Sequence, residues 1–119
     1  MKLERLSGRK INDTVLRRGK VWRGKTMAIH WLPGAPRRPG VDPATSAIYV
    51  GTFASAKLSK SAVVRNRMRR RVREALRVTV KDWKDLPPMQ LLIGPRFASL
   101  DAPFPAIEQE VRAFLSTFQ

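Results

Sequence analysis

The hydrophobic residues in the second half of the chain recur with the period of an α-helix. In residues 61–80 the apolar positions are separated by four, four, three and one, which places them on one helical face. They are Val64, Met68, Val72, Ala75 and Leu76. Residues 103–118 repeat the pattern at Ile107, Val111, Phe114, Leu115 and Phe118. Both segments are therefore predicted to be helices that pack on a core.

A shorter helix is predicted over residues 7–18. Ile11, Val15 and Leu16 fall on one side of it, and Gly19 follows as a stop signal. Together with the two segments above, this gives three helices.

Three other segments have the composition of strands. Residues 26–32, 47–54 and 89–93 are rich in apolar and aromatic residues, and Gly51 indicates a bulge or a close backbone approach. Residues 33–46 contain four prolines and two glycines, so we predict a mobile loop there.

The order helix, strand, strand, helix, strand, helix predicts an α+β fold. We expect a small two-layer sandwich in which helices pack on a central sheet. A chain of 119 residues is long enough for one domain with a modest core. Residues 1–119 are therefore predicted to form a single domain.

The charge of the chain changes the picture, because it is large and uneven. Formal net charge is +15, and residues 1–81 hold 21 Lys and Arg against 4 Asp and Glu. Residues 57–73 alone carry two lysines and six arginines with no acidic residue. Such a surface attracts polyanions, which makes nucleic acid the first candidate partner and an anionic membrane the second.

Several classes of function are disfavoured by the residue inventory. The chain has no cysteine, so disulfides and thiolate metal sites are excluded. It contains neither an apolar secretory segment nor a run long enough to span a membrane, so we expect a soluble intracellular protein. His30 is the only histidine and the nine carboxylates are scattered, which is unlike a protein site for phosphodiester hydrolysis.

The helix predicted over residues 61–80 combines an apolar face with an array of arginines. Opposite the apolar arc lie Asn66, Arg69, Arg70, Arg73 and Arg77, with Arg67 and Arg71 on one flank and Arg65 at the margin. Guanidinium is planar, always charged and able to bind two phosphate oxygens. Asn66 adds a donor and an acceptor that could reach a sugar or a base edge.

Residues 62–75 closely resemble the arginine-rich signature of the bacterial ribonuclease P protein subunit. The Arg-Asn-Arg order at 65–67, continued by basic residues to Arg73, carries the resemblance. The resemblance implies a protein that binds the catalytic RNA of ribonuclease P and the 5′ leader of precursor tRNA in the bacterial cytoplasm. It implies that the RNA cleaves the phosphodiester and holds Mg²⁺, while the protein alone binds no cofactor.

The resemblance also implies a fold and a set of contacts. It implies parallel strands joined by the basic helix in a left-handed crossover, similar to a ribosomal protein domain and an exception to the usual right-handed rule. The expected RNA-binding residues are Lys57, Lys60, Arg65, Asn66, Arg67, Arg69, Arg70, Arg73 and Arg77. The expected leader groove, between the first helix and the sheet, contains Asn12, Leu16, His30 and Trp31. Asn12 and Leu16 stand where the family usually has aromatic residues.

Three alternatives share part of this pattern. A non-catalytic RNA-binding protein of ribosomal type would use the same basic helix. A DNA-reading helix would need side chains that distinguish base pairs, whereas arginines beside a single Asn66 suit phosphate contact better. A membrane-surface helix would need its apolar stripe exposed, and here the core requires that stripe.

Overall fold

A computed structural model describes residues 2–42, 44 and 46–118 of the protein. Its first half contains β1 (Lys2–Arg5), α1 (Arg9–Arg18), β2 (Lys20–Arg23), β3 (Met27–Pro33) and β4 (Ala47–Thr52). Its second half contains α2 (Ala62–Val80), β5 (Met89–Pro95), a 3₁₀ helix (Phe97–Leu100) and α3 (Phe104–Ser116).

The five strands form one mixed sheet in the order β1-β4-β5-β3-β2. Strand β4 is parallel to both β1 and β5, while β3 is antiparallel to β5 and to β2. The predicted pair of parallel strands joined by the basic helix is therefore present as β4, α2 and β5. The handedness of this crossover stays a prediction.

The two faces of the sheet are covered by different helices. Alternate residues of a strand point to opposite faces. Met27, Ile29, Leu91 and Ile93 lie on the face that α2 and α3 cover, in one buried cluster. Helix α1 covers part of the other face, where its Val15 joins a second cluster with Leu6, Ala47, Tyr49 and Leu92. The predicted α+β fold is confirmed, and α1 adds a partial layer on the second face.

The differences from the sequence prediction lie at the edges of the sheet. Strand β1 was missed, and the strand predicted over residues 26–32 did not extend to β2. Both are four residues long without clear alternation, and each exists through pairing with one neighbour.

The predicted bulge at Gly51 is absent, because β4 pairs with β5 in unbroken register. The close approach is real: a β-carbon at Gly51 would lie 3.2 Å from Leu92 Cδ1.

The loop predicted over residues 33–46 is irregular in its described part, although Pro33 itself ends β3. Ala35 and Val41 pack against the second cluster, and Arg38 donates a hydrogen bond of 3.1 Å to the Ser7 carbonyl. Pro43 and Thr45 lie outside the described residues. The loop thus contacts the chain just before α1.

Candidate nucleic-acid interface

The basic helix α2 is fixed on the sheet by the apolar face that its sequence predicts. Met68, Val72, Ala75 and Leu76 are completely buried at 0% exposure, while Val64 in the first turn is half-buried. The helix begins after Ser61, whose Oγ accepts a hydrogen bond of 3.3 Å from the Val64 amide. Because the buried side is fixed, the arginines between these positions point in defined directions.

One flank of α2, formed by Arg65, Arg69 and Arg73, is bonded to the chain around the end of β4. We call it the inner flank. Its acceptors are the carbonyl oxygens of Ser59 and Ala54 and the hydroxyl of Thr52, at 2.7, 3.1 and 3.1 Å respectively. Arg65 and Arg69 are half-buried, so these bonds give them a structural role. Arg73 remains exposed and stands beside the sheet.

The opposite flank of α2 contains Val63, Arg67 and Arg71, and we call it the outer flank. Arg71 Nε donates a hydrogen bond of 2.8 Å to the Ser99 carbonyl, and its guanidinium also contacts the Ala102 carbonyl. Arg71 therefore ties α2 to the segment between the 3₁₀ helix and α3.

Between the flanks runs an exposed ridge formed by Asn66 and Arg70, and the exposed Arg67 of the outer flank borders it. Asn66 Oδ1 accepts a hydrogen bond of 3.0 Å from Arg69, which leaves the amide nitrogen of Asn66 to other partners. Arg67 and Arg70 form no hydrogen bond or ion pair with another of the described residues. Among the arginines of α2, these two have the guanidinium groups that are most available to phosphate.

The remaining predicted basic residues differ in their surroundings. Arg77 forms an ion pair with Glu74, with Nε 2.9 Å from Oε2, and these hydrogen bonds lower the pKa of the Glu74 carboxyl. Arg77 is thus partly neutralised. Lys57 and Lys60 are exposed in the turn that leads into α2, and they extend the positive surface beyond its first residue.

A groove lies on the second face of the sheet beside α1. The strand register places Gly51, Leu92, His30 and Val21 in one row across that face. At one end of the row, Asn12 and Gly51 line a cleft of about 550 Å³ together with Arg73 of the inner flank. The groove therefore runs from the basic helix toward the β2 edge.

The predicted groove residues Asn12, Leu16 and His30 are associated with this second face. Leu16 is 40% exposed on α1, and the Asn12 Oδ1 atom is buried with no hydrogen-bond partner among the described residues. Sequence reasoning missed Phe53, which is 37% exposed with its ring centroid 5.8 Å from that of His30. Its position directly after a strand and before the basic helix was the signal that could have found it.

The placement of Trp31 in the groove was wrong. Trp31 follows His30 in β3, so its side chain points to the opposite face. There its ring lies 4.7 Å from Phe118 and 6.4 Å from Phe114, in edge-to-face contacts with the α3 segment. Trp31 is thus partly buried and packs against the core on the α3 side of the sheet.

The surroundings of His30 favour its neutral form. Burial, and to a smaller extent the positive charge of Arg23, lowers the pKa of His30 below its ordinary value. Its Nδ1 atom is buried without a partner among the described residues. The rings of His30 and Phe53 together form an aromatic surface at the groove floor.

Comparison with known proteins identifies the family to which this arrangement of basic helix and groove belongs. The family model of ribonuclease P matches residues 1–119, which is the whole chain. The chain belongs to the ribonuclease P protein family. The ribonuclease P protein component of Symbiobacterium thermophilum is 34% identical over 114 residues, covering 92% of this chain and 86% of that protein. The protein component of a Picosynechococcus species is 31% identical over 104 residues, covering 86% of this chain and 78% of that protein.

Other members of the ribonuclease P family match over shorter stretches or in fold alone. The Thermus thermophilus protein component is 42% identical over 62 residues, so this chain spans only 31% of that protein's length. The structure of the ribonuclease P protein from Thermotoga maritima superposes with a TM-score of 0.74 at 18% identity, with 98% of each chain covered. The structure of the Staphylococcus aureus ribonuclease P protein superposes with a TM-score of 0.68 at 16% identity, with 97% of each chain covered. These two structures show the same fold.

Two further observations concern membranes and metals. Across residues 2–42, 44 and 46–118, every helix is too short or too polar to cross a bilayer. Within the same ranges, no three acidic or histidine side chains are grouped so that they could hold a metal ion.

Proposed function

We propose that this chain is the protein component of a bacterial ribonuclease P. It binds the catalytic RNA of that enzyme and the 5′ leader of precursor tRNA, and so promotes endonucleolytic removal of the leader in the cytoplasm. The observation that carries the proposal is the junction of the basic helix with the groove. Arg73 of α2 donates to Thr52, and the next residue, Phe53, belongs to the groove floor.

The basic ridge suits the phosphates of a folded RNA. Arg67 and Arg70 are exposed on a rigid helix, and guanidinium groups bind phosphate oxygens in pairs. Each phosphate that is neutralised releases condensed counterions, which makes such binding strong and dependent on salt. Lys57 and Lys60 add charge where the chain enters the helix.

The groove suits a single strand. Unpaired bases stack on aromatic side chains, each stack contributing about 1–3 kcal/mol. Asn12 and Leu16 offer no aromatic ring from α1, so the proposal assigns stacking to His30 and Phe53 instead. Arg73, at the cleft end of the same groove, would meet the leader phosphates there.

In this proposal the chemistry belongs to the RNA. Cleavage of the phosphodiester and coordination of Mg²⁺ are assigned to the catalytic RNA, and the protein's residues bind and orient the substrate. The protein would reduce the Mg²⁺ concentration that the RNA needs, because its arginines neutralise phosphate charge between catalytic RNA and substrate.

Reconstitution tests the proposed function. A bacterial ribonuclease P RNA is incubated with a precursor tRNA at low Mg²⁺, with and without the protein. We expect the protein to stimulate cleavage at the mature 5′ end, and an Arg67→Gln, Arg70→Gln double variant to stimulate less. Absence of stimulation with several bacterial ribonuclease P RNAs would reject the proposal. Stoichiometric recovery of the protein with ribosomal subunits would then favour the ribosomal alternative.

A further inference from the structure

The outer flank of α2 forms one wall of a second cleft, of about 520 Å³, on the side away from the groove. It is lined by Val63, Arg67, Arg70, Arg71, Glu74 and Phe104. The cleft is shallow and largely open to solvent. The nucleic-acid surface described above does not explain the two apolar side chains in this cleft.

The apolar residues of the cleft are exposed beside unpaired charge. Val63 is 75% exposed although it lies in a helix with a well-formed buried face. Phe104, the first residue of α3, packs against the core on one side and lines the cleft on the other. Arg67 and Arg70 stand next to them without a partner among the described residues.

The walls of the cleft are held in place from both helices. Arg71 bonds the Ser99 and Ala102 carbonyls, which fixes the start of α3 against the outer flank. Phe104 follows Ala102 by two residues, and its side chain is held by packing against the core. The cleft is therefore formed before any ligand binds.

The second cleft and the leader groove face different directions. Residues two positions apart on a helix, such as Arg67 and Arg69, lie about 160° apart around its axis. The inner flank borders the groove through Arg73 and Thr52, whereas the outer flank faces α3. A strand bound in the groove thus leaves the second cleft free for another RNA segment.

The chemistry of the cleft selects its occupant. A ring face and a valine offer a stacking surface, and two free guanidinium groups attract the phosphates on either side of a stacked base. Glu74 also lines the cleft, but its charge is paired with that of Arg77. An unpaired nucleotide fits this arrangement better than an apolar peptide, which would leave the arginines without partners.

We propose that the cleft between α2 and α3 binds an unpaired nucleotide of the catalytic RNA, its base on Phe104 and its phosphates on Arg67 and Arg70. The inference rests on the proposed function, because it assigns the groove to the leader and this cleft to the RNA partner. One rigid helix then contacts the two RNA molecules on opposite flanks.

Photocrosslinking from defined positions tests this assignment. A benzophenone side chain is placed at position 104, 53 or 97 in the full-length protein, and each protein is assembled with ribonuclease P RNA and precursor tRNA. We expect position 104 to crosslink to the catalytic RNA and position 53 to the leader. Phe97 is 53% exposed but does not line the cleft, so it provides the background. Crosslinks from position 104 to the leader would overturn the inference. So would a crosslinking yield to the catalytic RNA from position 104 that is no higher than the yield from position 97.

Binding measurements with a conservative variant provide a second test. Phe104→Leu keeps an apolar side chain against the core but removes the ring, so it should weaken binding to the catalytic RNA about fivefold or more. The slope of log affinity against log salt should not change, because no charge is lost. Phe97→Leu is the matched control and should bind like the native protein.

The outcomes separate this inference from the proposed function. If the native protein binds and stimulates the RNA but Phe104→Leu binds equally well, the cleft assignment fails and the proposed function stands. If the native protein neither binds nor stimulates any ribonuclease P RNA, the proposed function itself fails. A Phe104→Leu protein that binds RNA normally but sediments differently from the native protein would show a protein contact instead.

Discussion

The ring of Phe53 lies against Gly94, so closely that a β-carbon at position 94 would come 2.5 Å from Phe53 Cζ. The same ring stands 5.8 Å from His30. Gly94 thus makes room for an aromatic side chain on the second face of the sheet, where α1 supplies none. The aromatic surface of the groove on this face therefore comes from a strand residue and a loop residue, His30 and Phe53.

Gly94→Ala should displace Phe53 and weaken contact with the leader. We expect affinity for precursor tRNA to fall by about 1–3 kcal/mol, the contribution of one stacked base, with no change for mature tRNA. The measurement is the Kd of the reconstituted enzyme for the two RNAs. Phe53→Ala should give a similar loss. Unchanged discrimination between precursor and mature tRNA in both variants would show that Phe53 does not touch the leader.

Arg67→Gln and Arg70→Gln should each reduce the salt dependence of RNA binding. Each guanidinium that contacts a phosphate contributes up to about one unit to the slope of log affinity against log salt. The slope is measured by titrating catalytic RNA at several salt concentrations. Arg112→Gln, an exposed arginine on α3, is the control for loss of one positive charge. Equal slopes for all three variants would mean that Arg67 and Arg70 do not contact phosphate.

Arg71→Gln should reduce stability rather than the salt slope. The variant loses hydrogen bonds from a charged group to the Ser99 and Ala102 carbonyls, and such bonds contribute about 1.5–3 kcal/mol each. Urea unfolding gives the free energy of unfolding. Arg70→Gln removes the same group from the exposed ridge and should change the free energy of unfolding by less than about 0.5 kcal/mol. Equal stability of the two variants would contradict the anchoring role of Arg71.

Met68→Asp should unfold the domain. Met68 is completely buried, and an unpaired carboxylate there costs more than about 3 kcal/mol, a large share of the stability of a small domain. Circular dichroism during thermal melting checks this result. Val63→Asp introduces the same charge at a position that is 75% exposed and should melt near the native temperature. If Val63→Asp melted at a lower temperature than Met68→Asp, α2 would be rotated differently on the sheet.

His30 should make stability depend on pH in the mildly acidic range. Burial lowers the pKa of His30 in the folded protein, so below its ordinary value of 6.5 the unfolded chain binds more protons than the folded one. Stability is therefore fully present above that value and falls as the pH is lowered toward the depressed folded pKa. Urea unfolding of the native protein and of His30→Gln, compared between about pH 7.5 and 5, measures this component. The loss of stability at acidic pH that comes from His30 should be absent in the His30→Gln variant.

The buried side of α2 was predictable from the sequence, because helical spacing is a local property. The steps of four and three from Val64 to Leu76 placed Met68, Val72 and Ala75 on the sheet side, where the structure buries them. The parallel pairing of β4 and β5 through this helix followed from the resemblance of residues 62–75 to a known family. That pairing is observed.

The roles of individual arginines were not predictable, because they depend on carbonyl groups far along the chain. Arg69 bonds Ala54, 15 residues away, and Arg71 bonds Ser99, 28 residues away. No pattern within the basic run distinguishes these two from Arg67 and Arg70. Strand β1 was missed for the same reason, since its pairing partner β4 is remote in the chain.

By itself, the sequence determined a basic helix with a buried apolar face, an α+β fold and a family. These features depend on spacing and residue type over neighbouring positions. Only the tertiary structure decided which side of the sheet each aromatic occupies and which guanidinium groups remain free. Trp31 faces α3 and Phe53 faces His30 because strand alternation, register and the space at Gly94 act together across the sheet.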